Sequence, residues 1–155
     1  MKFRIVAVSH RLPAWVAAGF DDYARRLPRE FTLDLLELKP VPRDRGKSTA
    51  QILAREGQKI AASTRGFYVV ALDEGGESWT TPRLAQALRG WRDEGRAVAF
   101  VIGSADGLSE DVKRNADVIV SLSALTLPHG LVRVLLAEQL YRAISLLQGH
   151  PYHRK

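Results

Sequence analysis

Residues 121–144 read SLSALTLPHGLVRVLLAEQLYRAI and contain the most hydrophobic part of the chain. A Pro-His-Gly break at 128–130 separates a short apolar segment from a hydrophobic run at 131–147. Charges in this run would be costly in lipid, so we predict a buried helix and not a membrane span. Glu138 and Arg142 are four residues apart with the acid first, which favours a salt bridge. Arg133 has no such partner, so its charge must be met across a surface or by a ligand.

Strand-like and helix-like segments alternate along the rest of the chain. Short apolar or alternating segments predict strands at 3–8, 31–38, 67–73, 97–103 and 117–122. Apolar spacings of three and four, with capping signals, predict helices at 13–27, 48–63, 81–93, after 108, and at 131–147. This alternation predicts an α/β fold with a mostly parallel sheet and helices on both faces. We find no linker or repeat and expect a single domain over residues 1–155.

Ligands of such sheets bind at the carboxyl ends of the strands. Leu72, Gly103 and the segment 122–127 follow predicted strands and are uncharged. The GSADG loop at 103–107 has neither a dinucleotide-binding glycine fingerprint nor the lysine of a triphosphate-binding loop. Glycine, apolar residues and backbone amides suit a ligand with an aromatic base and little negative charge. S-adenosylmethionine, a sulfonium compound without phosphates, has that character.

The composition favours a polyanionic partner. The chain has 23 basic and 17 acidic residues, a net charge of +6, which points to nucleic acid before a membrane surface. The basic loop KPVPRDRGK at 39–47 is either a phosphate-contacting arm or a solvated connector. No residue is a cysteine and the first residues do not resemble an export signal, so we expect a cytoplasmic protein. We identify no amphipathic helix suited to membrane binding and expect no membrane partner.

Histidines are concentrated near the end of the chain. His150 and His153 have an H-x-x-H spacing, but Pro151 lies between them and zinc needs three or four ligands, so we expect no metal. The tail HPYHRK at 150–155 is more plausibly a cationic and aromatic arm, the alternative being a frayed terminus. In such an arm a tyrosine stacks on a base while cationic side chains meet phosphates.

The segment SLSALTLPHGLVRVLLAEQLYRA followed by HPYHR resembles the ribosomal RNA large subunit methyltransferase H family, of the SPOUT class. Further matches are VAV near the start, EGQKI at 56–60, ALD at 71–73 and IG...GLS at 102–109. The resemblance covers essentially the full length. It implies a homodimer with a C-terminal trefoil knot, an exception to the usual rarity of knots. It also implies an enzyme that uses S-adenosylmethionine to methylate N3 of a pseudouridine in 23S rRNA on the assembled ribosome.

The resemblance also implies roles for individual residues. Cofactor contacts would be Leu72, Gly103, Leu122, Ser123, Ala124, Leu125, Thr126 and Leu127. Catalytic residues would be His129, Arg133, Arg142 and His153, with the two arginines at or near a composite site between protomers. Either histidine has an intrinsic pKa suited to a general base. Tyr152, His153 and Arg154 would hold the substrate.

The chain departs from the family pattern at two places. Members commonly read GGPEG where this chain has GSADG, so Ser104 and Ala105 put the shape of that loop in question, and Ser9 stands where glycine is usual. Two other functions compete with methyl transfer. A ribosome-associated factor without catalysis would have no affinity for S-adenosylmethionine, and a small-molecule α/β enzyme would show little salt-dependent association with ribosomes.

Overall fold

In the computed structural model, which describes residues 1–44 and 46–153, five strands form a parallel sheet. The strands are β1 (Lys2–Val8), β2 (Thr32–Leu38), β3 (Tyr68–Ser78), β4 (Val98–Ile102) and β5 (Val118–Ser121). Their order across the sheet is β2-β1-β4-β3-β5, and each neighbouring pair is parallel. The predicted α/β fold with a mostly parallel sheet is therefore confirmed.

Helices cover both faces of this sheet. They are α1 (Ala14–Ala24), α2 (Thr49–Ser63), α3 (Thr81–Asp93), α4 (Glu110–Asn115) and α5 (His129–Leu147). Phe3 and Ile5 of β1 point into a core formed with α1, α3 and α5, whereas Val6 and Val8 point into a second core formed with α2 and α4. Successive side chains of a strand face opposite sides, so this alternation follows from the pleat. All five residues of β4 are buried, as expected of a strand covered on both sides.

Local sequence signals account for most helix boundaries. The Ser48 side chain accepts a hydrogen bond from the Gln51 amide while the Gln51 side chain reaches back, which confirms the predicted capping box at the start of α2. α3 spans residues 81–93 as predicted, whereas α1 ends three residues earlier than expected, at Ala24. α5 begins at His129, directly after Pro128, because proline lacks the backbone N–H that an extra preceding turn would need.

The predicted end of β3 is wrong in part. We expected a strand at 67–73 followed by a Gly-Gly loop, but β3 runs to Ser78 with an irregularity between Leu72 and Glu77. Gly76 explains how the strand returns to β5 after this bulge. A Cβ atom on Gly76 would lie 2.7 Å from the backbone of Ile119 and Val120, so the two chains approach more closely than a side chain permits.

Over residues 1–44 and 46–153, no helix combines the length and the apolar character that crossing a lipid bilayer requires.

Replacement of Gly76 by alanine should lower the free energy of unfolding by on the order of 1–3 kcal/mol, the usual cost of forcing an extra methyl group into a packed site. Gly90→Ala is the matched control, because Gly90 lies in α3 and a Cβ atom added there would have nothing within 4 Å. That change should raise the free energy of unfolding by up to about 1 kcal/mol through helix propensity. Urea denaturation at one protein concentration measures both, and equal effects would contradict the close approach at Gly76.

Candidate active site

A cavity of about 400 Å³ opens at the carboxyl ends of β4 and β5 and at the bulge of β3. Seven of the eight residues predicted to contact a cofactor line it: Leu72, Gly103, Leu122, Ser123, Leu125, Thr126 and Leu127. Ala124, the eighth, is exposed and does not line it. His129 and Val132 of α5 also contribute to the wall. The volume lies in the range of sites for small molecules and cofactors.

The strand register explains why residues distant in sequence meet here. Leu72 pairs with Ile102 of β4 and with Val120 of β5, so the bulge of β3 lies beside the carboxyl ends of the other two strands. The loop 103–107, called the glycine loop below, then turns sharply, with the Gly107 amide donating to the Ser104 carbonyl at 2.9 Å. A Cβ atom on Gly103 would lie 2.5 Å from the Gly107 carbonyl oxygen, so only glycine fits there without a shift of the loop.

The segment 122–127 forms the opposite wall and is held by short-range hydrogen bonds. The Ser121 hydroxyl donates to the carbonyl of Ser123, and the Leu125 amide donates to the Ser123 hydroxyl, both at 2.9 Å. The Thr126 hydroxyl lies 3.3 Å from a Glu74 carboxylate oxygen, which joins this wall to the bulge of β3. Leu125 is 74% exposed and stands at the mouth of the cavity.

The charges around the cavity are acidic. Asp73, Glu74 and Asp106 are among the residues that line it, and none of its described lining residues is lysine or arginine. Such a lining disfavours phosphate and suits a ligand that is neutral or cationic.

His129 is the titratable group of α5 that faces the cavity. Burial lowers the pKa of its imidazole, and the nearby Arg133 charge lowers it further, whereas a backbone hydrogen bond at Gly103 and the Glu37 carboxylate act in the opposite direction. The Nε2 atom is buried without a hydrogen-bond partner among the described residues. A neutral imidazole with an unused nitrogen at a cavity wall can accept a proton or a hydrogen bond from a ligand.

Arg133 lies one turn beyond His129 but does not line the cavity, and its side chain is buried. One terminal nitrogen lies 3.2 Å from a carboxylate oxygen of Glu37, and the other donates to the Ser9 hydroxyl at 3.0 Å. The structure thus gives its charge a partner within the chain, where the sequence left a surface or a ligand as alternatives. Ser9 supplies one of these contacts, and glycine is usual at this position in the family that the chain resembles.

The remaining predicted residues gather at the other end of α5. The expected salt bridge is present: the Arg142 guanidinium lies 2.6 Å from a Glu138 carboxylate oxygen. Tyr152 donates its hydroxyl to the same oxygen at 3.1 Å, and its ring packs on Tyr141, with centroids 4.6 Å apart. Burial and the bond to Glu138 raise the pKa of the Tyr152 hydroxyl. The described part of the tail therefore folds back on α5 and is not an extended arm.

His153 is half-buried, and its Nδ1 atom has no hydrogen-bond partner within residues 1–44 and 46–153. Arg154, predicted to hold substrate, lies outside the described residues. The predicted site residues outside the strand ends therefore fall into two groups: the predicted catalytic residues His129 and Arg133 in the first turns of α5, and the predicted catalytic residue Arg142 near its end, beside Tyr152, which was predicted to hold substrate. Since 13 helical residues separate His129 from Arg142, the groups are about 20 Å apart along one chain.

Comparison with known proteins decides the family. A family model described as predicted SPOUT methyltransferase matches residues 1–153. Proteins named ribosomal RNA large subunit methyltransferase H are 57% identical over 155 residues, for example those of Burkholderia cenocepacia (strain HI2424) and Burkholderia multivorans (strain ATCC 17616 / 249). Each alignment covers 99% of this chain and 99% of the relative. This chain belongs to the SPOUT methyltransferase family.

Solved structures support the same fold at low sequence identity. A protein described as a probable methylase family protein, from Haemophilus influenzae Rd KW20, aligns with a TM-score of 0.64 and 11% identity, covering 99% of this chain and 70% of that one. A protein described as a probable methyltransferase, from Bordetella pertussis Tohama I, aligns with a TM-score of 0.58 and 16% identity, covering 92% of this chain and 95% of that one. Membership of this family makes the chain a methyltransferase.

Sequence reasoning missed several residues of the SPOUT cavity. Ile102, Ser104 and Asp106 line it beside Gly103, and Asp73 and Glu74 line it beside Leu72. Their position at the carboxyl ends of predicted strands was the available signal. No local pattern distinguished a side chain facing the cavity from its neighbour.

Among the described residues, no group of three or more histidine, aspartate or glutamate side chains is arranged to hold a metal ion.

The free energy of unfolding should fall as the pH drops through the ordinary histidine pKa of 6.5. The pKa of His129 is lowered in the folded state, so the unfolded state binds more protons below pH 6.5 and becomes more favoured as the pH falls. His129→Gln removes this group and should flatten the dependence between about pH 7 and pH 5. Urea denaturation over that range measures the slope, and an equally steep dependence in both proteins would contradict a depressed pKa.

Proposed function

We propose that this SPOUT family member transfers a methyl group from S-adenosylmethionine to N3 of a pseudouridine in 23S rRNA, acting on the assembled ribosome in the cytoplasm. The observation that carries the proposal is the cavity at the ends of β4 and β5 and the bulge of β3, lined by residues that sequence reasoning assigned to the cofactor. The relatives that are 57% identical over nearly the full length are named for methylation of large-subunit ribosomal RNA. The excess of basic residues suits an RNA substrate.

The residues of the cavity fit S-adenosylmethionine better than a nucleotide with phosphates. Leu122, Leu125 and Leu127 offer apolar surface to an adenine ring, and the close Gly103 turn exposes backbone groups to it. The sulfonium and ammonium groups of this cofactor are cationic, and the carboxylates of Asp73 and Glu74 lie at the cavity. The cofactor supplies an electrophilic methyl group.

The protein's own contribution to the reaction is to orient the pseudouridine base and to accept its N3 proton. N3 of a pseudouridine carries a weakly acidic proton that must leave as the nitrogen bonds to carbon. His129 is suited to accept it, because its lowered pKa keeps the imidazole neutral near pH 7 and its Nε2 atom has no other described partner. His153 is the alternative acceptor. Holding N3 in line with the methyl group supplies much of the remaining rate acceleration.

A homodimer would bring the two groups of α5 residues together. Within one chain Arg142 lies about 20 Å from His129, too far for both to contact one nucleotide base. In a two-fold dimer, the Arg142 and Tyr152 end of one protomer can lie against the cavity of the other. Trp15, 60% exposed on α1 beside α5, is the kind of side chain that such an interface buries. In this arrangement Tyr152, His153 and Arg154 hold the substrate.

We also propose one domain over residues 1–155. The C-terminal trefoil knot implied by the resemblance stays a prediction.

Incubation with labelled S-adenosylmethionine and ribosomes from a strain lacking this gene should place the label in 23S rRNA. Mass spectrometry of the digested RNA should identify 3-methylpseudouridine, because N3 is the atom proposed to attack. Free 23S rRNA, tested in parallel, should be a poorer substrate than intact ribosomes. Label in another nucleoside would refute the proposed target, and no label in either substrate would refute the proposed reaction.

Replacement of Gly103 by alanine should weaken S-adenosylmethionine binding about tenfold or more. The added methyl group meets the Gly107 backbone and displaces the glycine loop at a typical cost of about 1–3 kcal/mol, and 1.4 kcal/mol is a tenfold change in affinity. Isothermal titration calorimetry measures the dissociation constant. Gly90→Ala, in open space on α3, should bind as the wild type does, and equal binding by Gly103→Ala would contradict the site.

Subunit mixing tests the composite site. His129→Ala and Arg142→Ala should each be inactive alone, but refolded together in equal amounts they should recover about a quarter of wild-type activity. Half the dimers are then mixed, and each mixed two-fold dimer has one site with both residues intact. Methyl transfer to ribosomes measures the recovery. If each site were built within one protomer, no mixed dimer would contain an intact site and no activity would return.

A further inference from the structure

Glu56 of α2 is a buried carboxylate, 2% exposed, that no step of the proposed reaction uses. One oxygen accepts hydrogen bonds from the Val41 amide at 3.0 Å and from a terminal nitrogen of Arg43 at 2.9 Å. Its other oxygen accepts from the Ser104 hydroxyl at 2.8 Å. All three donors come from outside α2, so this carboxylate joins three segments of the chain.

Arg43 completes a network around the glycine loop. Its second terminal nitrogen donates to the Ser104 hydroxyl and to the Asp106 carboxylate, both at 3.0 Å, and its Nε donates to the same Asp106 oxygen at 3.3 Å. The guanidinium therefore contacts the glycine loop at two positions and Glu56 at a third. Hydrogen bonding to Glu56 raises the pKa of Arg43. The Arg43 charge is thus directed inward, which disfavours a phosphate-contacting role for this arginine of the basic loop 39–47.

Neither Glu56 nor Arg43 is among the residues that line the cavity, whereas Ser104 and Asp106, which they contact, both line it. Only the Glu56 carboxylate of this network is fully buried, whereas the Arg43 side chain is 37% exposed. Burying a carboxylate costs desolvation energy that its ion pair offsets only in part, and well-packed apolar residues are often at least as stabilising. Such a network is better explained by the geometry it imposes than by its contribution to stability. The geometry it imposes here is that of the cavity wall between β4 and α4.

We propose that Glu56 and Arg43 are positioning residues that hold the glycine loop in its cofactor-binding shape, and that they act through the Ser104 hydroxyl and the Asp106 carboxylate. This inference rests on the proposed binding of S-adenosylmethionine to the cavity. A wall that is already ordered spares the ligand the cost of ordering it, so the network contributes to affinity without touching the ligand. Ser104, a departure from the usual glycine, is the residue through which this chain adds a side-chain contact to the loop.

Calorimetry of S-adenosylmethionine binding to the purified full chain tests the inference. Glu56→Gln keeps the size of the side chain but removes its charge, and Ser104→Ala removes only the hydroxyl. We expect the dissociation constant to rise about tenfold in Glu56→Gln and about threefold in Ser104→Ala, the effect of losing hydrogen bonds to a charged partner. At saturating cofactor, the kcat of Glu56→Gln should stay within about twofold of wild type, because Glu56 lies outside the cavity and does not contact the reacting atoms.

Asp34→Asn is the matched control. Asp34 forms an ion pair with Arg4 at 3.3 Å on β1 and β2 and does not line the cavity. Its loss also removes a carboxylate from a salt bridge, so it should leave the cofactor affinity unchanged. Amide hydrogen exchange without cofactor supplies a second readout: a peptide covering 103–107 should exchange faster in Glu56→Gln than in the wild type or in Asp34→Asn.

The double variant Glu56→Gln/Ser104→Ala distinguishes positioning from a general loss of stability. If Glu56 acts through Ser104, adding Ser104→Ala to Glu56→Gln should raise the dissociation constant by less than about a further twofold, because the two residues share one network. If the two changes instead raise the dissociation constant by factors that multiply in the double variant, they act independently, and Glu56 does not act through Ser104. If Glu56→Gln fails to fold, the dissociation constant of Ser104→Ala alone tests the positioning role.

The possible failures are distinguishable. Wild-type affinity in folded Glu56→Gln and Ser104→Ala would overturn the positioning role while leaving the proposed function intact. No binding of S-adenosylmethionine to the wild type would overturn the proposed function and this inference with it.

Discussion

The parallel pairing of β4 with β1 and β3 is the constraint on which the rest of the structure depends. A strand with parallel partners on both sides and all five residues buried needs helices over both faces of the sheet, because neither face can be left to water. The same pairing sets the register in which Leu72 and Ile102 end side by side. The bulge of β3 and the loop that follows β4 must then share one space. The position of the cavity is thus a consequence of burying the centre of the sheet.

Much of this could be predicted because the signals are local. The alternating residues of β1, the buried apolar run of β4 and the Ser48 capping box each specify an element from a few neighbouring residues. The rule that ligands bind at the carboxyl ends of parallel strands then located most of the cavity lining. The bulge in β3 could not be found this way, because it depends on how closely Gly76 approaches a strand some forty residues later in the chain. Pairing partners of that kind carry no local signature.

Charged residues were the least predictable part of the site for the same reason. The partner of Arg142 lies one helical turn away on the same face, so spacing alone identified it. The partners of Arg133 are on β2 and directly after β1, and only the folded chain brings them to α5. Tyr152 shows a related difficulty. The composition of the tail predicts an exposed arm. It does not reveal that a Glu138 carboxylate oxygen that binds Arg142 also accepts a hydrogen bond from the Tyr152 hydroxyl.

The distribution of charge has a consequence for the proposed chemistry. The cofactor is cationic before the reaction and loses that charge as the methyl group moves, so strong electrostatic attraction to the cavity would stabilise the ground state more than the transition state. The cavity carries carboxylates, of which Asp106 forms an ion pair with Arg43, an arginine that also pairs with Glu56. Glu74 is exposed to water, where screening weakens its field. To avoid stabilising the ground state in this way, affinity has to come from shape and apolar contact, which do not change when the sulfonium charge disappears. A rigid glycine loop serves that requirement better than a stronger charge would.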